Sequence, residues 1–347
     1  MAEILGLGLS DFPPARFGNE QFCSQLKKSF EAGTLPPEMM DPKNWPPEMQ
    51  AEWGDDKAET HAGKMREYLA EQWGKLKTAL DDFKPDFILM WSKDHNEALK
   101  HYVLPQYWIQ AHDEVTIQPY KNFARRNNIW GVDPDTDVVI KGHPAGAKHL
   151  IRGLQDAGFD PTYSTEPMYQ DGLAHTFIAA ITHLDWEKRE FKTPVVPVSI
   201  DPFGPRARKP EGMSPISPET PLPLSPKRAF ELGRHTARIL KASPWRVALV
   251  AAVGWSHTQD TSWENHWIHP DQEADIRRYE EFKNNKFEDW GDSWTVEEFE
   301  AHGQWELTCW IALAGAMTEL GAKVQHSDLK LQWTPPSEWV HAIFNAV

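Results

Sequence analysis

Short runs of consecutive apolar residues recur along the chain, and each run stops at a polar residue. The runs cover residues 4–9, 87–91, 195–200 and 246–253. Continuous apolar runs of this length are typical of strands that are buried on both faces of a parallel sheet. Pro197 lies inside the third run, which predicts an edge strand or a bulged strand there. A further short strand is predicted over 137–140.

Helical patterns lie between the strands. The segment 61–82 has apolar residues at helical spacing, namely Met65, Leu69, Trp73, Leu76 and Leu80. Further helices are predicted over 144–157, 226–241, 270–285 and 304–320. Proline in the first turn of the 144–157 helix and Ser225 before Pro226 are typical of helix N-termini. The stretch 16–59 contains two Pro-Pro pairs and is predicted to be a loop.

The alternation of strands and helices predicts an α/β fold. We expect one domain over 1–347, with a central, mostly parallel or mixed sheet and helices on both faces. In such sheets ligands bind at the carboxyl ends of the strands. Asp11, His95 and His257 each follow an apolar run by a few residues, so one edge of the sheet is expected to present all three. Glu306 begins an apolar helix, where the helix dipole alone accounts for a carboxylate.

The charge of the chain restricts its partners. The 347 residues include 36 basic and 51 acidic side chains, a formal net charge of −15. This field repels polyphosphate and anionic lipid, so we expect neither nucleic acid nor a membrane as a partner. The two cysteines lie outside any CxxC pair, and the start of the chain has no basic leader, which fits a protein of the reducing cytoplasm. A homo-oligomer is the common state of enzymes of this size.

Six segments carry a family resemblance. The chain resembles the class III extradiol ring-cleavage dioxygenases of the protocatechuate 4,5-dioxygenase β-subunit type in GLGLSDFPP, PDFILMWSKDHNE, DGLAHTF, VPVSIDPFGP, VAAVGWSHTQ and GQWELTCWIALAGAM. These segments span nearly the whole chain in the family's order. The resemblance implies a non-haem Fe(II) with open positions for a catecholate and O₂. It also implies His95 and Glu306 as ligands, His257 as the acid or base, and His175 as a substrate contact.

The first segment departs from the family, because Asp11 stands where the motif has a histidine. Two imidazoles and one carboxylate around a divalent ion leave a formal charge of +1, whereas the aspartate makes the ligand set neutral. The hard oxygen ligand also shifts the preference toward Mn or Zn. We predict a divalent metal at Asp11, His95 and Glu306, with Fe(II) implied by the resemblance and Mn or Zn as alternatives.

Three functions follow from this pattern. The first is a metal-dependent extradiol-type dioxygenase that acts with O₂ on a small catecholic or related phenolic compound. The second is a hydrolase or lyase that uses the same metal as a Lewis acid without O₂. The third is a metal-free binding or regulatory protein. Trp255 and Arg206 are further candidates for substrate contact, Arg206 because a guanidinium can bind a carboxylate through two hydrogen bonds; an exposed basic loop is the alternative for Arg206.

Overall fold

The structure is a computed structural model that describes residues 2–95, 97–100, 102–121, 127–167, 172–188, 190–206, 208–209, 212–214, 217–258 and 268–347. The strands in these ranges are β1 (Ile4–Leu9), β2 (Phe87–Ser92), β3 (Tyr107–Gln110), β4 (Glu114–Ile117), β5 (Val138–Lys141), β6 (Thr162–Ser164), β7 (Val195–Ile200), β8 (Arg208–Lys209), β9 (Gly212–Met213), β10 (Val247–Ala252), β11 (Val324–Lys330) and β12 (Trp339–Phe344). The helices are α1 (Ser24–Ala32), α2 (Pro47–Trp53), α3 (Glu59–Phe83), α4 (Pro144–Asp156), α5 (His175–Leu184), α6 (Pro226–Lys241), α7 (Gln272–Lys283), α8 (Trp290–Ser293), α9 (Val296–His302) and α10 (Thr308–Leu320).

Eight strands form one mixed sheet in the order β11-β12-β1-β10-β2-β7-β3-β6. The four central strands, β1, β10, β2 and β7, are parallel to one another. β12 is antiparallel to β1, and β3 is antiparallel to β7. With helices packed around this sheet, the fold is α/β, as the sequence predicts.

Helices cover the sheet on both faces because alternate strand residues point to opposite sides. Leu5 and Leu7 belong to one core with residues of α3 and α5, whereas Ile4 and Phe87 belong to the other with residues of α6 and α10. Gly8 allows α10 to lie close to the sheet, since a Cβ atom there would come within 2.1 Å of the Trp310 ring. The central strands are therefore buried on both faces, which explains their continuous apolar sequences.

Two local predictions are wrong, those for Pro197 and for the stretch 16–59. Pro197 lies in an interior strand, where β3 pairs with Val198–Ile200 only, so the proline lies beyond that ladder. The short strand predicted at 137–140 is confirmed as β5, and it pairs with β4 outside the main sheet. The stretch 16–59 contains α1 and α2, and the second Pro-Pro pair starts α2 with Pro47 in its first turn.

No helix within the described ranges is both long enough and apolar enough to cross a membrane.

Candidate active site

The four parallel strands end at the same edge of the sheet, and their polar residues meet there. β1 leads to Asp11, β2 leads to Lys93 and His95, and β10 leads to His257. The parallel register of β1, β10 and β2 places these ends side by side. The structure thus places the three predicted strand-end residues at one edge.

Glu306 lies at the centre of this edge. Its side chain is fully buried in a short 3-10 turn, Trp305–Leu307, just before α10. His95 Nε2 lies 3.8 Å from Glu306 Oε1, and His257 Nε2 lies 3.3 Å from Oε2. The backbone N–H of His257 also donates to the carbonyl of Gly303 at 2.9 Å, which joins the loop after β10 to the segment before Glu306. Glu306, His95 and His257, which the resemblance implies as site residues, therefore lie close together.

The ring orientation of His257 is fixed by the backbone. Its Nδ1 lies 2.7 Å from the carbonyl oxygen of Trp255, so Nδ1 donates the hydrogen bond. In the neutral ring, Nε2 then presents a lone pair to Glu306. A Cβ atom at Gly254 would lie 2.8 Å from Cε1 of this ring, so glycine is required for the ring to occupy this position.

His95 lies in a tight turn with positive backbone φ of 27°, a region that costs a residue with a side chain some strain. The turn is held by the Asp94 carboxylate, which accepts hydrogen bonds from the backbone N–H groups of Glu97, Ala98 and Leu99 at 2.8–3.1 Å. This local network directs His95 toward Glu306.

His175 pairs with a glutamate that the sequence does not single out. Glu97 Oε2 accepts the backbone N–H of His175 at 2.8 Å, and Glu97 Oε1 contacts Nδ1 of the same residue. Burial alone would raise the pKa of Glu97, but the hydrogen bonds and charge of His175 outweigh it and the pKa is lowered. The His175 ring stacks on His95 with centroids 5.2 Å apart, so this Glu-His pair lies beside the candidate ligands.

Asp11 is almost fully buried at 5% exposed, and burial raises the pKa of its carboxyl. The positive charge of Lys93 opposes this rise, so Lys93 stabilises the carboxylate form. Asp11 Oδ1 has no hydrogen-bond partner in the described part of the chain. A buried acceptor without a donor is costly and favours a cation nearby.

Lys93 is the second residue that the sequence does not single out. Its side chain is 4% exposed, and its Nζ contacts Glu306 Oε1. It directly follows β2, so it lies at the carboxyl end of a parallel strand, where ligands bind in such sheets. A buried ammonium thus contacts one carboxylate of the site, and its charge acts on the other.

The donor atoms of this site suit a divalent metal. Among the described residues, neither oxygen of Glu306 accepts a hydrogen bond of ordinary geometry, and Asp11 Oδ1 accepts none. Buried carboxylates and imidazoles are the donors that Fe, Mn and Zn prefer. As arranged, no three His, Cys, Asp or Glu side chains of the described ranges surround one point closely enough to hold an ion. The donor chemistry fits a metal, and the Lys93 ammonium stands at one of the donor oxygens.

A small pocket that opens to solvent borders His95. Its wall is lined by Asp94, His95, Leu99, Val103, Leu104, Pro105, Trp108, Ser199 and Asp201. Polar and apolar residues contribute about equally to this wall, so it offers a small ligand both apolar contact and hydrogen-bonding groups. Phe203 stacks on His95 with centroids 5.6 Å apart, which adds a second aromatic surface.

The two remaining candidates already contact other parts of the protein. The Trp255 side chain is fully buried in an aromatic cluster with Tyr279, Phe282, Trp290 and Trp310, where it packs the core. Arg206 is not an exposed basic residue: its Nη2 lies 2.6 Å from Glu300 Oε2, and its guanidinium lies over the Trp305 ring. The charge of Arg206 is therefore already balanced next to the segment that carries Glu306.

Comparisons with known proteins give little beyond this geometry. No family model and no curated protein sequence matches the chain. Among solved structures, the crystal structure of the uncharacterized protein JW3007 from Escherichia coli K12 is similar over 78% of this chain and 91% of that chain, with 15% identity and a TM-score of 0.44.

Proposed function

We propose that the chain is a metal-dependent, extradiol-type ring-cleavage dioxygenase that acts on a catecholic or related phenolic compound. The observation that carries this proposal is the convergence of His95 and His257 on the fully buried Glu306, at 3.8 and 3.3 Å. The resemblance of six segments to the class III extradiol enzymes supplies the reaction type. Ring cleavage inserts both atoms of O₂ into the catechol and needs no external reductant, so the reaction balances with two small substrates.

Asp11, His95 and Glu306 are the residues that would hold the metal. A divalent metal at this place would supply a Lewis-acidic, redox-active centre where catecholate and O₂ can meet. Glu306 is held by the 3-10 turn before α10, and His95 is held by the Asp94-capped turn. Both side chains are thus positioned by the backbone before any ligand binds, which lowers the cost of assembling the site.

His257 is the residue suited to proton transfer. Its Nδ1 hydrogen bond to the Trp255 carbonyl leaves Nε2 as the atom that takes up or releases a proton. Imidazole exchanges protons near neutral pH, so His257 can accept a proton from a catechol hydroxyl and return it to the product. In this proposal the residue acts on substrate, as the resemblance implies.

The pocket beside His95 would take the aromatic ring. Trp108 and Leu99 offer apolar surface, and the stacked rings of His175 and Phe203 lie close to the metal-binding side. The Glu97 carboxylate orients His175 through Nδ1, and the His175 ring would contact the substrate from this fixed position. The setting that we propose is a cytoplasmic homo-oligomer, which size-exclusion chromatography and cell fractionation test directly.

Oxygen uptake is the test of this function. The native protein is loaded anaerobically with Fe(II), mixed with a panel of catechols, and followed in an oxygen electrode together with the absorbance of the ring-opened product. We expect equal moles of O₂ and catechol to disappear, with activity lost in Glu306→Gln and kept in Glu38→Gln, which changes an exposed carboxylate. Bound metal without O₂ uptake on any catechol would contradict the dioxygenase proposal.

A hydrolase or lyase with the same metal is the second candidate. It is favoured by one observation, the Asp11 carboxylate in place of an imidazole, because a hard oxygen ligand suits redox-inert metals such as Zn. Turnover of esters or carbonyl compounds by the Zn-loaded protein under argon would support this candidate.

A further inference from the structure

A buried lysine lies inside the candidate active site and is not accounted for by the proposed reaction. Lys93 follows β2 directly, and the Thr176 hydroxyl donates a hydrogen bond of 2.6 Å to its backbone carbonyl. Its Nζ contacts Glu306 Oε1, and its charge also acts on Asp11 and on Glu97. The ammonium of Lys93 therefore contacts the carboxylate of Glu306, and its charge acts on two further carboxylates.

The contact with Glu306 involves an atom that a metal would also use. Glu306 Oε1 is the oxygen that faces His95 Nε2 at 3.8 Å, so an ion bound by both residues would approach this oxygen. Two cations at one carboxylate oxygen repel each other strongly in a buried site. The position of Lys93 also agrees with the finding that, in the described ranges, three metal-binding side chains do not already surround one point.

We propose that the Lys93 ammonium and a divalent cation compete for Glu306, so that Lys93 sets the metal affinity of this site. The inference rests on the proposed function in one respect, since the competing cation is the metal of that proposal. Buried ion pairs hold together because each partner alone would be costly to bury. With a metal held at Glu306, the Lys93 ammonium would face Asp11 or the substrate instead.

The same lysine restores the charge that the aspartate removes. A divalent ion with Asp11 and Glu306 is formally neutral, and Lys93 brings the total to +1. This is also the charge of a site that has two imidazoles and one carboxylate around a divalent ion and no lysine. Lys93 therefore keeps the site attractive to a catecholate anion despite Asp11.

Metal affinity tests the competition directly. Native protein, Lys93→Met, Lys93→Arg and the surface control Lys77→Met are titrated with Zn²⁺ by calorimetry. Lys77 is a matched control because it pairs with Asp81 on the outside of α3. We expect Lys93→Met to bind Zn²⁺ about tenfold or more tightly than the native protein, with both other variants close to native. Equal Zn²⁺ affinity of Lys93→Met and native protein overturns the proposal. Lys93→Gln is a second neutral variant, and circular dichroism establishes that each variant is folded.

Catechol affinity tests the charge compensation. The Zn-loaded proteins are titrated under argon with 4-nitrocatechol, whose absorbance reports its ionisation. We expect Lys93→Met to bind about tenfold more weakly than native protein and the double variant Asp11→His/Lys93→Met to recover native affinity, because both native and double variant carry +1. A double variant no better than Lys93→Met overturns the compensation.

The two proposals fail in different ways. If these affinity changes are found but no O₂ is consumed, the dioxygenase proposal is wrong and the proposed role of Lys93 stands. Unchanged metal affinity in Lys93→Met removes the role of Lys93 whatever the oxygen electrode shows. If native protein binds no Zn²⁺, Lys93→Met must bind it for the inference to stand.

Discussion

The Nε2 atom of His257 lies 3.3 Å from Oε2 of Glu306, while Nδ1 of the same ring lies 2.7 Å from the Trp255 carbonyl oxygen. With Nδ1 as the donor, the neutral ring would direct a lone pair at a carboxylate. A proton on Nε2, or a cation near both atoms, turns this contact into an attraction. The pair therefore has the geometry of a site that holds positive charge and passes protons.

The first prediction separates the roles of these two residues. His257→Gln should retain bound metal and lose turnover by about 10² to 10⁴-fold, because it removes a proton-transfer group. Glu306→Gln should lose the metal itself. Elemental analysis and steady-state rates of both variants measure this, with His149→Gln on the exposed side of α4 as the control. Loss of metal in His257→Gln would make that histidine a ligand.

The second prediction concerns Asp11. Asp11→Ala removes a buried carboxylate whose Oδ1 has no hydrogen-bond partner among the described residues, and thus one ligand of the proposed metal. We expect Zn²⁺ binding to weaken by about tenfold or more, since opposite charges at short range contribute strongly in a buried site. Calorimetric titration beside the native protein measures the change. Unaltered affinity would remove Asp11 from the ligand set.

The third prediction concerns the Glu97–His175 pair. Glu97→Gln keeps the size of the side chain but removes the charge that orients and polarises His175, so we expect kcat/KM to fall by about 10 to 100-fold. His175→Gln in the same background should add little further loss, because two residues that act as a unit are not additive. Glu114→Gln, at an exposed ion pair with Lys141, is the matched control. Fully additive losses would show that the two residues act separately.

The fourth prediction links stability to pH through Asp275, which lies behind the site. Burial raises its pKa to about 7, although hydrogen bonds from Ser256 and Gln304 act in the opposite direction. The folded state therefore keeps a proton that the unfolded chain releases near pH 4. The stability that this proton contributes is full below about pH 4 and is lost as the pH rises to about 7.

Urea unfolding at pH 5 and pH 7 measures this effect. Between the two values the native protein should lose up to about 2 to 3 kcal/mol more unfolding free energy than Asp275→Asn, at about 1.4 kcal/mol per pH unit and proton. Glu338 is a second buried carboxyl with a raised pKa, and its contribution remains in the variant. Glu273→Gln on the exposed side of α7 should behave as native. The same pH dependence in native protein and Asp275→Asn would contradict the assignment.

The sequence predicts the central strands of the sheet better than the strand at its edge. β1, β2 and β10 are buried on both faces, so their sequences are almost continuously apolar and clearly predict strands. β11 pairs only with β12 at the end of the sheet and reads VQHSDLK, which has neither a continuous nor a clean alternating pattern. Because most of its residues are half-buried, apolar and polar residues do not alternate in its sequence.

The site residues were likewise predictable only where a local sequence pattern marks them. Asp11, His95 and His257 were predictable because parallel strands end at one edge of a sheet. Lys93 and Glu97 were not, although both lie within two residues of His95. Their importance depends on contacts with Glu306 and His175, which are distant in sequence and which no local pattern reports.

The most direct test of the metal-centre proposal is a crystal structure of the protein purified without chelator and loaded with Fe(II) or Zn²⁺, recorded at the metal absorption edge. The account predicts one anomalous peak about 2.0–2.2 Å from the ligating atoms of Asp11, His95 and Glu306, with the Lys93 ammonium moved away from Glu306. A structure of the loaded protein with no peak at this edge of the sheet, and with Lys93 still on Glu306, would contradict it.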